Sequence, residues 1–152
     1  MWYAGIDWAD DHHDILVIDE KGHQVGSLRV SHTAQGLTKL NTFLEHIVGT
    51  TSKEEMVCII ETTHGLLIAH LLEGGWPVYP VNPRTVDRRR SASGAKTDTI
   101  DAYLLAKTGR ADFADLHRLT PDSEKVSELK ELTRDQDALI RMQTRLVNQL
   151  TA

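Results

Sequence analysis

The chain has 152 residues, a formal net charge of −5 at pH 7, and 40% hydrophobic against 26% charged residues. These are the proportions of a soluble globular protein, long enough for one domain with a sizeable core. One cysteine excludes an intrachain disulfide, and no apolar run approaches the roughly 20 residues that span a bilayer.

The N-terminus has no basic segment and carries Asp7, so it does not read as a signal peptide; a reducing cytoplasm is the expected home. The acidic balance argues mildly against nucleic-acid binding, but the charge is uneven. Arg84, Arg88, Arg89, Arg90 and Lys96 fall close together, opposed only by Asp87.

Residues 2–7 predict a buried strand ending on an acid, residues 8–13 a polar turn, and residues 14–19 a second strand rich in β-branched residues. Glu20-Lys21-Gly22 supplies a hairpin turn, and His23 to Ser31 alternates as a third strand. The period then changes. Thr33 can cap a helix from about Ala34 to Val48, with Leu37, Leu40, Phe43 or Leu44, and Ile47 at helical spacing and Gly49 as the stop. Met56 to Ile60, with Cys58 inside it, is the continuous apolar run of a strand buried on both faces, and it is followed by Glu61.

Leu66 to Leu72 predicts a short apolar helix and Pro77 to Val81 a short strand. A helical segment through Arg90 leads to the loop 91–95, and a further helix is expected from about Thr97 to Thr108 with Gly109 as its stop. Residues 122–152 hold no Gly or Pro. Leu129, Leu132, Leu139, Leu146 and Leu150, with Gln136 and Gln143, fit a heptad seam; a coiled coil and a helix packed on its own domain fit equally. The chain stops without a capping signal, which predicts a fragment of a longer protein. The expected division is a catalytic domain over 1–120 and the start of a helical spacer over 121–152.

The stretch Lys96-Thr97-Asp98-Thr99-Ile100-Asp101-Ala102 places two carboxylates three apart on one helix face. Taken alone, Thr97 as N-cap with acids complementing the helix dipole accounts for it. The element order β-β-β-α-β-α-β followed by helices is that of a ribonuclease H-like domain with a mixed five-stranded sheet. In that fold strands one and four are parallel neighbours, so the resemblance puts Asp7 and Glu61 at the ends of adjacent strands, at the edge where open α/β sheets bind ligands. A later helix can lay Asp98 and Asp101 across the same edge. Four carboxylates there call for one or two hard divalent cations, which can clamp the attacking and leaving oxygens of a phosphodiester.

Gly5-Ile6-Asp7, Ile60-Glu61-Thr62, Val81-Asn82-Pro83 and 96–102 together resemble the motifs of the DEDD transposases of bacterial insertion sequences. The resemblance covers essentially the whole chain. It implies a RuvC-like domain whose metal ligands and catalytic residues are Asp7, Glu61, Asp98 and Asp101, with Mg²⁺ or Mn²⁺ as cofactor. It further implies DNA as substrate, an element-encoded guide RNA, a bacterial cytoplasmic setting, and a nucleophilic serine in a C-terminal domain that this chain lacks. The basic residues Arg84, Arg88, Arg89, Arg90 and Lys96 are expected to meet nucleic-acid backbone, and the seam predicts a homo-oligomer formed through the C-terminal helix.

A stand-alone RuvC-like junction resolvase uses the same acids and is the nearest alternative. An actin-like ATPase or sugar kinase also begins with Gly-Ile-Asp, but Trp8-Ala9-Asp10-Asp11 is too bulky and acidic for its phosphate loop. A binding or dimerisation module built on the long helix is the non-enzymatic alternative. Asp10, Asp11, His12, His13 and Asp14 match no standard ligand spacing and read as an exposed turn. His64 reads as a surface residue, Ser91 and Ser93 as loop residues, and Trp8 as packing at the core or the cleft rim.

Overall fold

A computed structural model describes residues 1–63, 65–82, 98–120 and 139–145, with only the helical backbone at 98–100. Five strands form one sheet in the order β3-β2-β1-β4-β5: β1 Trp2–Trp8, β2 His12–Ile18, β3 Gln24–Ser31, β4 Met56–Ile60 and β5 Val78–Pro80. β1, β2 and β3 make an antiparallel meander, while β4 and β5 run parallel to β1. Helices α1 (Ala34–Val48), α2 (Leu66–Glu73) and α3 (Asp98–Asp112) flank it.

The meander follows from local chemistry. At the β2–β3 turn the Asp19 carboxylate accepts from the backbone N–H groups of Lys21 and His23, both at 2.9 Å. An aspartate that satisfies two turn amides favours this bend over a continued strand. These amides also hold the Asp19 carboxyl below its ordinary pKa. Thr33 caps α1 by accepting from Gly36 N–H at 3.0 Å, and the Gly49 N–H returns to Glu45 O.

Strand alternation sorts the side chains onto two faces. Ala4, Ile6, Ile15, Val17, Cys58 and Ile60 meet Leu37, Leu40, Leu44, Ile68 and Leu71 in one buried cluster under α1 and α2. Tyr3, Leu16, Ile18, Val57 and Ile59 meet Ala102, Leu105 and Ala106 of α3 in the other. Burial pushes the Cys58 thiol up to about 12, so it stays protonated and packs as a small apolar residue.

α3 lies very close to β1. A Cβ at Gly5 would sit 1.9 Å from the Ala102 carbonyl oxygen and 2.6 Å from the Ala106 nitrogen. Further along, a Cβ at Gly109 would sit 2.3 Å from Ile59 Cδ1. The Phe113 ring packs edge-on to Tyr3 at 6.2 Å. The helix therefore runs antiparallel to β1, and its first turn lies at the strand's C-terminal end. Beyond it, Leu119 N–H donates to Val78 O at 2.8 Å and Arg118 forks onto Glu54.

Several element ends differ from expectation. Gly109 does not stop α3; it lets Ile59 pack against the helix backbone, and the helix continues to Asp112. The turn expected at residues 8–13 is shorter, because β1 extends to Trp8 and β2 starts at His12. β5 is limited to Val78–Pro80. The helical segment expected through Arg90 and the loop 91–95 lie outside the described residues. Of 122–152, only 139–145 is described; it is helical, with Ile140 packed on the first cluster. Among the described residues no helix is long and apolar enough to cross a membrane.

Candidate metal centre at the sheet edge

The register of the sheet places the candidate acids. Ile6 pairs with Ile60 across parallel β1 and β4, so the next residues, Asp7 and Glu61, leave the two strands side by side. By alternation both fall on the α3 face. Asp7 is half-buried, and the Oε1 atom of Glu61 is shut off from solvent. The first turn of α3 reaches the same edge and carries Asp101, which is 7% exposed. Asp98 is the first residue of that helix, one turn earlier, and its side chain lies outside the description.

Asp7, Glu61 and Asp101 share one edge without being drawn into one cluster. Among the described residues no three His, Cys, Asp or Glu side chains are grouped closely enough to hold a metal ion. The donor set nevertheless fits a hard divalent cation, because every contributor offers carboxylate oxygens and one of those oxygens is already desolvated.

The sequence reading missed two residues of this edge. Asp14 lies directly opposite Asp7 in the β1–β2 ladder, and Arg29 lies opposite Asp14 in β2–β3. Asp14 is 7% exposed rather than part of an exposed turn. Its two oxygens accept from Arg29 Nε at 2.8 Å and Nη2 at 3.1 Å, a forked ion pair. Across β4, β1, β2 and β3 the α3 face thus ends in the row Glu61, Asp7, Asp14, Arg29. The signal was present: the alternation of β2, traced back from Ile18 and Leu16, reaches Asp14.

His13 is also a buried strand residue, on the opposite face. Its Nδ1 accepts from Ala9 N–H at 3.4 Å, and its Nε2 lies 2.9 Å from His32 Nδ1. The two imidazoles share one hydrogen bond through these nitrogens, with their rings nearly perpendicular at 84°. Burial, reinforced by His32, pushes the His13 pKa down to about 4, so the ring is neutral at pH 7. The pair borders a cavity of about 410 Å³ that Trp8, Leu66 and Ile140 also line. Trp8 is 46% exposed there and so occupies the rim. Arg84, Arg88, Arg89, Arg90 and Lys96, with His64, Ser91 and Ser93, lie outside the described residues.

A family model described as a transposase, of the IS110 DEDD type, matches residues 4–152. The Sinorhizobium fredii protein y4uE, named as a candidate transposase, is 32% identical over 97% of this chain. The mini-circle candidate transposase for IS117 of Streptomyces coelicolor is 34% identical over 97% of it. The chain spans 42% and 36% of the lengths of those two proteins. Among solved structures, T. thermophilus RuvC in complex with a Holliday junction substrate superposes with a TM-score of 0.54 at 15% identity. That superposition covers 78% of this chain and 99% of RuvC. The fold is therefore RuvC-like, a ribonuclease H-like mixed sheet.

Proposed function

The chain belongs to the IS110-type DEDD transposases, and from that premise we propose that it is the metal-binding, DNA-cutting part of a recombinase that moves an insertion sequence. Divalent metal is the usual cofactor of this family and fold. The carrying observation is the shared edge: Asp7 and Glu61 leave neighbouring parallel strands where α3 begins. In this reading Asp7, Glu61, Asp98 and Asp101 hold one or two ions, Mg²⁺ or Mn²⁺. Rotamer changes would bring the oxygens of these residues to such an ion without moving the strands that carry Asp7 and Glu61. When bound, the metal supplies Lewis-acid stabilisation of charge on the phosphate oxygens.

The remaining assignments follow the same reading. Residues 1–120 form the RuvC-like domain and 121–152 begin a helical spacer through which copies associate. Arg84, Arg88, Arg89, Arg90 and Lys96 meet DNA or guide-RNA phosphates. The attacking hydroxyl comes from a serine in a further domain of the whole protein. The junction-resolvase alternative is not favoured: the likeness to RuvC is one of fold, whereas the relatives at 32–34% identity are transposases by name.

The test incubates the chain with Mg²⁺ and supercoiled or branched DNA. DNA binding without recombination is expected, because half of a site that acts as a unit retains little chemistry. Efficient cleavage that vanishes in Asp7→Asn would instead identify a self-sufficient nuclease. Replacing Arg88, Arg89 and Arg90 by Gln should weaken binding to all sequences alike and flatten its salt dependence.

A further inference from the structure

We propose that the Asp14–Arg29 ion pair is a positioning element of the metal centre, setting cation affinity by keeping the guanidinium fork of Arg29 engaged on Asp14, the cross-strand neighbour of Asp7. The inference rests on the metal-binding reading above and goes beyond it, since neither residue belongs to the four proposed ligands.

Asp14 is the cross-strand partner of Asp7 on the α3 face. Directly opposed residues in an antiparallel pair have Cβ atoms about 4.5–5.5 Å apart, and like charges there repel. An unpaired carboxylate at position 14 would raise the negative potential on Asp7. The pairing with Arg29 makes the neighbour close to neutral. It also occupies the two parallel N–H donors with which a guanidinium grips a carboxylate. Asp14 is nine-tenths buried and its partner is anchored on β3, so the pair is held in place while the Arg29 side chain stays 59% exposed. A cavity of about 250 Å³ lies between this pair and Ala102, the residue after Asp101. The ion pair and the first turn of α3 thus border one space beside the carboxylate edge.

The two halves of the pair act in opposite directions. Without the Asp14 charge, Arg29 turns its fork toward the remaining acids, Asp7 first, and competes with the cation. Without Arg29, the Asp14 carboxylate adds a negative charge next to Asp7 and draws the cation in. A residue that only supported the fold would weaken binding whichever half was removed.

The experiment is Mn²⁺ titration of the 152-residue chain, read by calorimetry or by loss of the free-ion paramagnetic signal, with circular dichroism confirming that each variant is folded. Asp14→Asn should weaken Mn²⁺ binding about tenfold and Arg29→Gln should tighten it several-fold, as one unit charge at this range would do. The double variant, with no net charge change, should return near the wild-type affinity. If Asp14→Asn does not fold, Arg29→Gln against Arg29→Lys decides, the first tightening binding and the second leaving it near wild type. Weaker binding in both single variants, or no change in either, overturns the proposal while Asp7→Asn still abolishes binding. No Mn²⁺ binding by the wild-type chain would remove the metal centre itself, and this proposal with it.

Discussion

The two faces of the sheet share their strands yet end in opposite chemistry. Under α1 and α2, the β1 residues Ala4, Ile6 and Trp8 pair with Val17, Ile15 and His13 of β2. That face is apolar up to a last row of Trp8, His13 and, beyond it, His32. Under α3, Gly5 pairs with Leu16, and the last row is Asp7 with Asp14. One face is dense with large aliphatic groups. The other is thin at Gly5, so that a helix backbone lies on the strand and its first turn arrives beside the acids. Stability is concentrated on the first face and chemistry on the second, and substitutions should separate them.

The largest stability loss is expected on the first face. Leu40 is fully buried there, and Leu40→Ala should cost about 3 kcal/mol by cavity formation. Denaturant unfolding would show it, while the gain in melting temperature on adding Mg²⁺ should be retained. A vanished Mg²⁺ response in a folded Leu40→Ala protein would mean the faces are not separable.

Gly5→Ala tests the other face. Its Cβ would meet backbone atoms of Ala102 and Ala106, which cannot rotate away. A loss of about 2 kcal/mol is expected from overpacking, together with loss of the Mg²⁺ response, because α3 must lift from the edge. Retention of that response would contradict the placement of α3 as the element that delivers its acids.

The histidine row gives a pH dependence of known sign. The folded-state pKa of His13 lies near 4, below the ordinary 6.5. Between those values the unfolded chain binds the extra proton. The stabilising contribution is therefore complete above about pH 6.5 and is lost as pH falls toward 4. From pH 6.5 to 5 the loss should be at most about 1.5 kcal/mol, measured as a shift in denaturation midpoint that His13→Gln removes. An equal fall in midpoint between pH 6.5 and pH 5 in wild type and His13→Gln would refute it. The smallest effect is expected far from both rows. Arg118→Ala breaks a fork onto the largely exposed Glu54 and should cost less than about 1 kcal/mol.

Much of this architecture was legible in the chain. The helical spacing of Leu37, Leu40 and Leu44 behind Thr33 set the bounds of α1, and the apolar run from Met56 marked β4. The adjacency of Asp7 and Glu61 followed from the ribonuclease H-like fold that the element order resembles, and the β1–β4 register bears it out. What escaped was written in pairings between strands. Asp14 reads both as the start of a strand and, with the four polar residues before it, as turn chemistry. Alternation with Leu16 and Ile18 puts it on the α3 face, and its register with Asp7 and Arg29 adds the ion pair. Gly109 looked like a helix stop because a glycine at a helix end and a glycine under a neighbouring side chain read alike in one dimension. The contact with Ile59 distinguishes them.

The central claim is that the edge on which Asp7, Glu61 and the start of α3 meet is a divalent-metal site. Its most direct test is the melting temperature of the chain in EDTA and in Mg²⁺. At tenfold excess over the dissociation constant, wild type should gain about 3–5 °C, as native-state ligand binding does for a domain of this size. Neither Asp7→Asn nor the Asp98→Asn, Asp101→Asn double variant should gain. An equal gain in Asp7→Asn would place the metal elsewhere and contradict the account.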